Sequence, residues 1–500
     1  VKREILINSC ILAFLNGISA VSWYFGFNLM ALLLPLAWGM WWVEIFGAGS
    51  GGSGLKKIWF WSGVWFLLGV FWMGMVVEVW NWAKIPRGSV KVQGVVAGVP
   101  VFKQNQLEII LAELKLNGKN FPGRRLQVKI SNLEKIKPAD RLFFSAELMD
   151  SRETTLPLVY RQFLLRQRVN WVGRNVRGVK VNEGKLTEDL GYISPTPRGA
   201  VGVVENFFIG IWMMRQWLNE QLSAVVKEPA ASLLMGILIG ERGSLPQNLT
   251  DNFQITGLTH ILAISGFNIT LIINLILMLL AGVGKGWRWV VCCLLIGFFV
   301  FLTGGSASVV RAGVMGLLAL SVKTLGRKMG VLQLILISTF LIVVVDPTIL
   351  NFDLSFQLSL VATLSLVFYA DFWELEISKP WQVWLWEGIS LTVAAQILTL
   401  PLIFFGFGRI SVISPISNLL IGPMIPFLML LGVVLLVLIY LFPWLVVLVA
   451  GLTEILVLVM VSIIDFLAKL PLAQVEFGQG QWMVVIVYYL LVFKFFRKRK

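Results

Sequence analysis

The chain has 500 residues, 57% of them hydrophobic, with 21 tryptophans and a formal net charge of +15. A mean hydropathy of +0.81 excludes an ordinary soluble globular protein and predicts a polytopic α-helical membrane protein. A single histidine excludes a zinc hydrolase centre built on several imidazoles, although a carboxylate-only magnesium site stays open.

Apolar runs near 5–21, 23–46 and 58–80 predict a three-span segment over residues 1–82. The first run follows Val1-Lys2-Arg3 without a small-residue cleavage site and is expected to be retained. The stretch 47–54, GAGSGGSG, reads as a flexible connector. Composition then changes over 83–200, where SVKVQGVV (89–96), LEIIL (107–111), RLQVKI (125–130) and DRLFFSAEL (140–148) alternate like strands between Gly, Pro and Asn turns. A small all-β domain, OB-like and extracytoplasmic, is expected, although pattern alone does not separate barrel from sandwich.

From 87 to 198 there are about 20 Lys and Arg against about 10 Asp and Glu. Long domains translocate regardless of charge, so the excess points to a polyanion partner, with anionic lipid headgroups or no partner as the plainer alternatives. Within it, VYRQFLLRQRVNWVGRNVRG (159–178) interleaves Arg161, Arg166, Arg168, Arg174 and Arg177 with Phe163 and Trp171. Cations beside aromatic faces are what single-strand binding uses, unless Trp171 and Phe163 are core residues. Residues 201–228 follow helical spacing with one polar face, as in an amphipathic helix lying on a membrane surface.

The remainder, 229–500, predicts a membrane domain with spans near 258–282, 287–303, 308–326, 329–346, 353–371, 386–407, 424–441, 444–468 and 481–496, making about twelve in all. Segments 229–242 and 411–423 are too short or too broken to cross and read as re-entrant pieces. Positive residues at Lys2-Arg3, Lys56-Lys57, Lys285/Arg288, Lys323/Arg327/Lys328 and the terminal tail put both termini in the cytoplasm and 82–257 outside. Cys10, Cys292 and Cys293 lie in apolar spans and read as small hydrophobes.

Polar residues inside this domain are the candidate site. TGLTHILAISGFN (256–268) carries His260, Ser265, Gly266 and Asn268, which either line a path or glue helices together. Glu241 and Arg242 either neutralise each other or line a vestibule, and Arg311 is either a phosphate contact or a structural counter-charge. Asp353 suits an N-cap, while Gln357, Ser359 and Thr363 suit lining or glue. Gln396 precedes a kinking Pro401, and Asn418 sits among three prolines where no helix runs uninterrupted. Broken helices with polar residues at mid-depth mark substrate pathways.

GERGSLPQNLTDNFQITGLTHILAISGFNITL (240–271) resembles the signature of the ComEC family of competence DNA-internalisation channels. SASVVRAGVMGLLAL (306–320), DPTILNFDLSFQLSLVATLSL (346–366) and QILTLPLIFFGFGRISVISPISNLLIGPMIPF (396–427) resemble it in the same order. The resemblance implies a channel passing single-stranded DNA across the bacterial cytoplasmic membrane in natural transformation, with no cofactor. Its implied partners are the DNA strand, the lipid bilayer, an outer DNA receptor, a separate nuclease and a cytoplasmic helicase-like motor. Many members end in a metallo-β-lactamase-like domain, which is not expected after residue 496; Asn268 stands where the family often has a second histidine. No GxxxxGK[ST] string occurs, in keeping with an external motor. The alternatives are a small-solute transporter, for which no internal repeat is found, and an intramembrane enzyme. The latter is expected not to be the case: His260 and Ser265 lie about 140° apart on a helix, a poor geometry for a base and its nucleophile.

Overall fold

The computed structural model describes residues 2–21, 62–73, 89–97, 101–103, 106–121, 124–130, 136, 140–151, 164, 167, 169–182, 201–241, 245–262, 266–370, 380–477, 487–489 and 491–492. The expected span 23–46 lies outside them, as do Arg161, Phe163, Arg166, Arg168, Arg242 and Ser265.

Helices α1 (Lys2–Val21) and α2 (Ser62–Met73) come first. Seven strands follow: β1 (Ser89–Val96), β2 (Val101–Lys103), β3 (Gln106–Leu116), β4 (Lys119–Phe121), β5 (Leu126–Ile130), β6 (Arg141–Asp150) and β7 (Trp171–Asn182). Five of them close a ring in the order β1-β6-β7-β5-β3 and back to β1, with β2 and β4 paired to β3. Every pair is antiparallel except β5 with β7. Inward positions such as Val90, Val92, Ile109, Leu111, Leu126, Val128, Leu142 and Phe144 fill the ring, because alternate residues of a strand share a face. The four expected strands are present. Strand β7 lies where the sequence suggested an Arg/aromatic binding segment instead.

The helical part runs α3 (Val201–Val225), α4 (Ala230–Ile239), α5 (Gln247–Ile255), α6 (Thr259–Leu262), α7 (Gly266–Leu279), α8 (Lys285–Leu302), α9 (Ala307–Thr324), α10 (Val331–Val345), α11 (Thr348–Phe352), α12 (Leu354–Tyr369) and α13 (Pro380–Phe407). Strand β8 (Arg409–Ser411), α14 (Ser414–Ile421), α15 (Met424–Leu441), α16 (Pro443–Ala468) and strand β9 (Gln474–Glu476) complete it, with β8 and β9 paired.

Among the described residues five helices are long and apolar enough to cross a membrane: Lys285–Leu302, Ala307–Thr324, Leu385–Phe407, Met424–Leu441 and Pro443–Ala468. Within the expected span 258–282 the described residues form α6 and α7, and 263–265 lie outside them. Those expected at 329–346 and 353–371 are helices of 15 and 16 residues. At about 1.5 Å per residue they are shorter than a bilayer core of about 30 Å. Helix α4, in the segment read as re-entrant, has ten residues and all are buried. It is apolar all round, as a helix enclosed on every side must be, and α15 and α16 pack around it. Helix α3 forms where the amphipathic helix was expected and exposes Met213, Met214 and Trp217.

Candidate functional site

The signature region folds around a turn. Helix α5 ends at Ile255, and Thr256 donates its hydroxyl to Asn252 O at 2.7 Å. Gly257 then adopts φ +73 against Ser411 and Ser414, and a Cβ there would lie 2.7 Å from Ser414 Cβ and Oγ. Both the backbone angle and the space therefore demand glycine. Three residues on, His260 Nδ1 lies 3.1 Å from Gly257 O. A carbonyl only accepts, so the contact places the neutral imidazole's proton on Nδ1 and leaves Nε2 as an acceptor. The protein leaves the His260 side chain exposed.

Ser414 is the hub of this corner. Its Oγ accepts from Gln396 Nε2 at 2.9 Å and from Asn418 Nδ2 at 3.4 Å. Gln254, at the end of α5, accepts from Arg409 Nη2 on β8. Thus Gly257, Gln396 and Asn418 meet at Ser414. Gln396 and Asn418 are half-buried.

Of the other described candidates, all but Arg311 are spent on backbone, packing or an ion pair. Asn268, 3% exposed, donates to Ile237 O at 3.2 Å, one of the carbonyls that the end of α4 leaves without a helical partner. Gly266 lets α7 approach α9, where a Cβ would sit 3.3 Å from Ala312 Cβ. Gln357, 2% exposed, donates to Leu350 O and Asn351 O at 2.9 and 3.0 Å. Asp353 caps α12 by accepting from Phe356 N at 2.7 Å. Glu241 stands 3.9 Å from Arg215 of α3, a partner far off in sequence. Burial pushes the Glu241 carboxyl up from its ordinary range, against the opposing pull of Arg215. Arg311 is buried, and its guanidinium donates to Ser359 Oγ and Thr363 Oγ1 of α12 while Nη1 finds no partner. Among the described residues no carboxylate pairs with it.

Comparison with known proteins assigns the region that holds this corner. Residues 237–499 match the model of the competence protein family. The chain belongs to that family. It is 22% identical over 303 residues to ComE operon protein 3 of Bacillus subtilis (strain 168), covering 60% of this chain and 36% of that one. It is 27% identical over 236 residues to the uncharacterized protein YcaI of Escherichia coli (strain K12), covering 42% of this chain and 29% of that one. The matched part thus spans about a third of the length of these curated relatives. No solved structure matches. With its five apolar helices, this competence-family chain is a membrane protein.

Sequence reasoning missed a second feature of the matched region. Pro401 sits inside α13 and has no N–H, so Ile397 O loses its helical donor. Tyr488 Oη donates to that carbonyl at 3.0 Å, and Tyr489 Oη donates to Leu398 O at 2.7 Å. One turn earlier Ser365 of α12 inserts into the ladder, accepting from Leu398 N and donating to Ala394 O. The break is therefore held open and satisfied by side chains from elsewhere in the chain, which is how a kinked helix survives without water. Gln396 lies between these two insertions. A proline with tyrosines ninety residues later was the only signal in the sequence.

In the barrel, Trp171 is 2% exposed and packs edge-on against Phe121 with centroids 5.5 Å apart. It is a core residue and not an open stacking face, because β7 turns it inward. Arg174 and Arg177 are exposed.

Proposed function

We propose that this competence-family chain is a channel conducting single-stranded DNA into the cytoplasm, with the basic barrel on the outer side meeting the strand first. It lies in the bacterial cytoplasmic membrane with both termini inside. The observation that carries the reading is the meeting of Gln396, Asn418 and Gly257, whose carbonyl holds His260, around Ser414 beside the Pro401 break in α13. Polar groups at membrane depth face protein or water, and an imidazole that the protein leaves uncovered favours water. The name ComE operon protein 3 of one relative agrees with a role in DNA uptake. The barrel supports it independently. Its pairing scheme, with β5 and β7, the third and fifth ring strands in chain order, in parallel contact, resembles that of an OB-fold, a recurrent oligonucleotide binder. The chain itself is read as non-enzymatic and free of cofactor, so that a receptor, a nuclease and a motor are separate partners.

Reconstituted vesicles loaded with a single-strand-binding protein, which traps incoming strands, test this. Labelled single-stranded oligonucleotide should accumulate inside, and a labelled duplex of equal length should not. Uptake of small solutes with exclusion of the oligonucleotide would replace the channel by a solute transporter.

A further inference from the structure

The barrel carries a face that the 159–178 motif did not predict. Strand β7 contains two backbone irregularities, Asn175 at φ +51 and Gly178 at φ +65, and the ladder with β6 shifts register at both. Each adds one residue to β7, so Arg174, Arg177 and Lys180, three apart in sequence, stand opposite Glu147, Ser145 and Phe143, two apart on β6. All three cations are exposed. The rows continue onto β1 and β3: Arg177–Ser145–Lys91, then Lys180–Phe143–Gln93–Lys115. Lys91 and Lys115 are exposed, and Phe143 is half-exposed between Lys180 and Gln93. The one acid in these rows, Glu147, lies at the Arg174 end and accepts from Asn175 Nδ2 at 3.0 Å.

The opposite side of the barrel is filled by the chain itself. Outward-pointing Glu108 and Gln127 are 8% and 1% exposed. Leu164 and Val169 pack there with Met149, Val172 and Ile110, and Arg125 fixes the covering segment by donating to Gln167 O and Asn170 Oδ1. In an OB-fold that side, with its flanking loops, is the usual oligonucleotide face.

We propose that the β1-β6-β7 face, and not the covered one, is the surface that holds single-stranded nucleic acid, resting on the reading that this chain handles such a strand. Cations two strand positions apart repeat at about 6–7 Å, close to the phosphate repeat of an extended single strand. Phe143 offers a ring to a base between them, which is the pairing of charge and stacking that sequence-tolerant strand binding uses. An anionic bilayer would find the charge but has no use for a ring hemmed in by Lys180 and Gln93.

The test uses the full chain in nanodiscs of neutral lipid and a fluorescent oligothymidylate. The K91Q/R177Q/K180Q variant should bind more weakly, with a log–log salt slope shallower by about 2, at about 0.7 for each phosphate no longer neutralised. Phe143→Leu, which keeps an apolar side chain on the exposed face, should weaken binding about fivefold or more with the slope unchanged. Unchanged binding by both variants, with loss in R161Q/R166Q/R168Q, would move the site to residues 161–168 and overturn the face while leaving strand binding intact. No binding by the unsubstituted chain would overturn both readings. Loss of tethering to anionic vesicles in the triple variant, with oligonucleotide affinity retained, would make the face a lipid-binding surface and overturn the proposal.

Discussion

The barrel and the helical bundle use polar side chains in opposite ways. In the barrel, backbone groups pair along the ladders, so charged residues are free to gather outward, as Lys91, Arg177 and Lys180 do. In the bundle, broken helices leave carbonyls without donors, and several polar side chains are turned to satisfying them: Asn268 at Ile237 O, Gln357 at Leu350 O, Tyr488 at Ile397 O. A polar residue in an apolar run is therefore first a candidate for repairing the backbone. Only those left over, such as His260 with its open Nε2, are candidates for a path.

The largest expected effect tests the barrel half of this contrast. Trp171→Ala should cost about 3–5 kcal/mol by opening the ring's core. Limited proteolysis of the full chain should then cut within 89–182. A folded barrel with selectively weakened oligonucleotide binding would instead make Trp171 a stacking platform.

At the corner of the bundle, Gly257→Ala meets both a disallowed angle and a 2.7 Å contact with Ser414. It should cost about 2–4 kcal/mol in detergent unfolding. Adding Ser414→Gly should recover the steric part and leave the angular part. No recovery would mean that the two residues do not touch.

Arg311 separates repair from function most sharply. A buried charge with no opposite charge beside it carries a desolvation cost that an apolar residue of similar length does not. Arg311→Met is expected to change stability by no more than about 1 kcal/mol while abolishing oligonucleotide uptake. Retained uptake would make Arg311 a structural tie to Ser359 and Thr363.

The Pro401 break permits a double-mutant cycle. Tyr488→Phe should cost about 1 kcal/mol by stranding Ile397 O, but almost nothing in a Pro401→Ala background, where residue 401 regains its N–H. Equal costs in both backgrounds would show that the hydroxyl does not serve that carbonyl. The smallest effect concerns Glu241. A carboxyl whose pKa is raised on folding contributes stability below the ordinary glutamate range, and this is lost as pH rises through the raised value. Glu241→Gln should flatten that dependence in unfolding curves measured from acid to neutral pH.

Cysteine scanning joins the two halves. In a background lacking Cys10, Cys292 and Cys293, cysteines at His260 and Gln396 should react with a water-soluble thiol reagent more slowly when DNA is present. Cysteines at Asn268 and Gln357, both buried, should stay inert.

Residues 89–96 and 140–148 were legible as strands because alternation survives wherever one face is buried. Strand β7 was not, since its two irregularities turn the cations to a three-residue spacing that resembles a helix. Long apolar runs gave the helices from 285 to 324 and from 424 to 468. The turn at Gly257, just before α6, was hidden because hydropathy registers side chains and not backbone angles.

Composition by itself pointed to a membrane chain with a basic segment over 87–198, because transfer free energy and charge add residue by residue whatever the fold, and the alternation along 89–148 made that segment β. Which polar residues meet was decided only by tertiary structure. The partner of Ser414 is eighteen residues away, that of Ile397 is ninety-one, and that of Asn351 lies on the first helix. A hydrogen bond acts over about 3 Å, so its partners are fixed by how helices pack and not by their order along the chain.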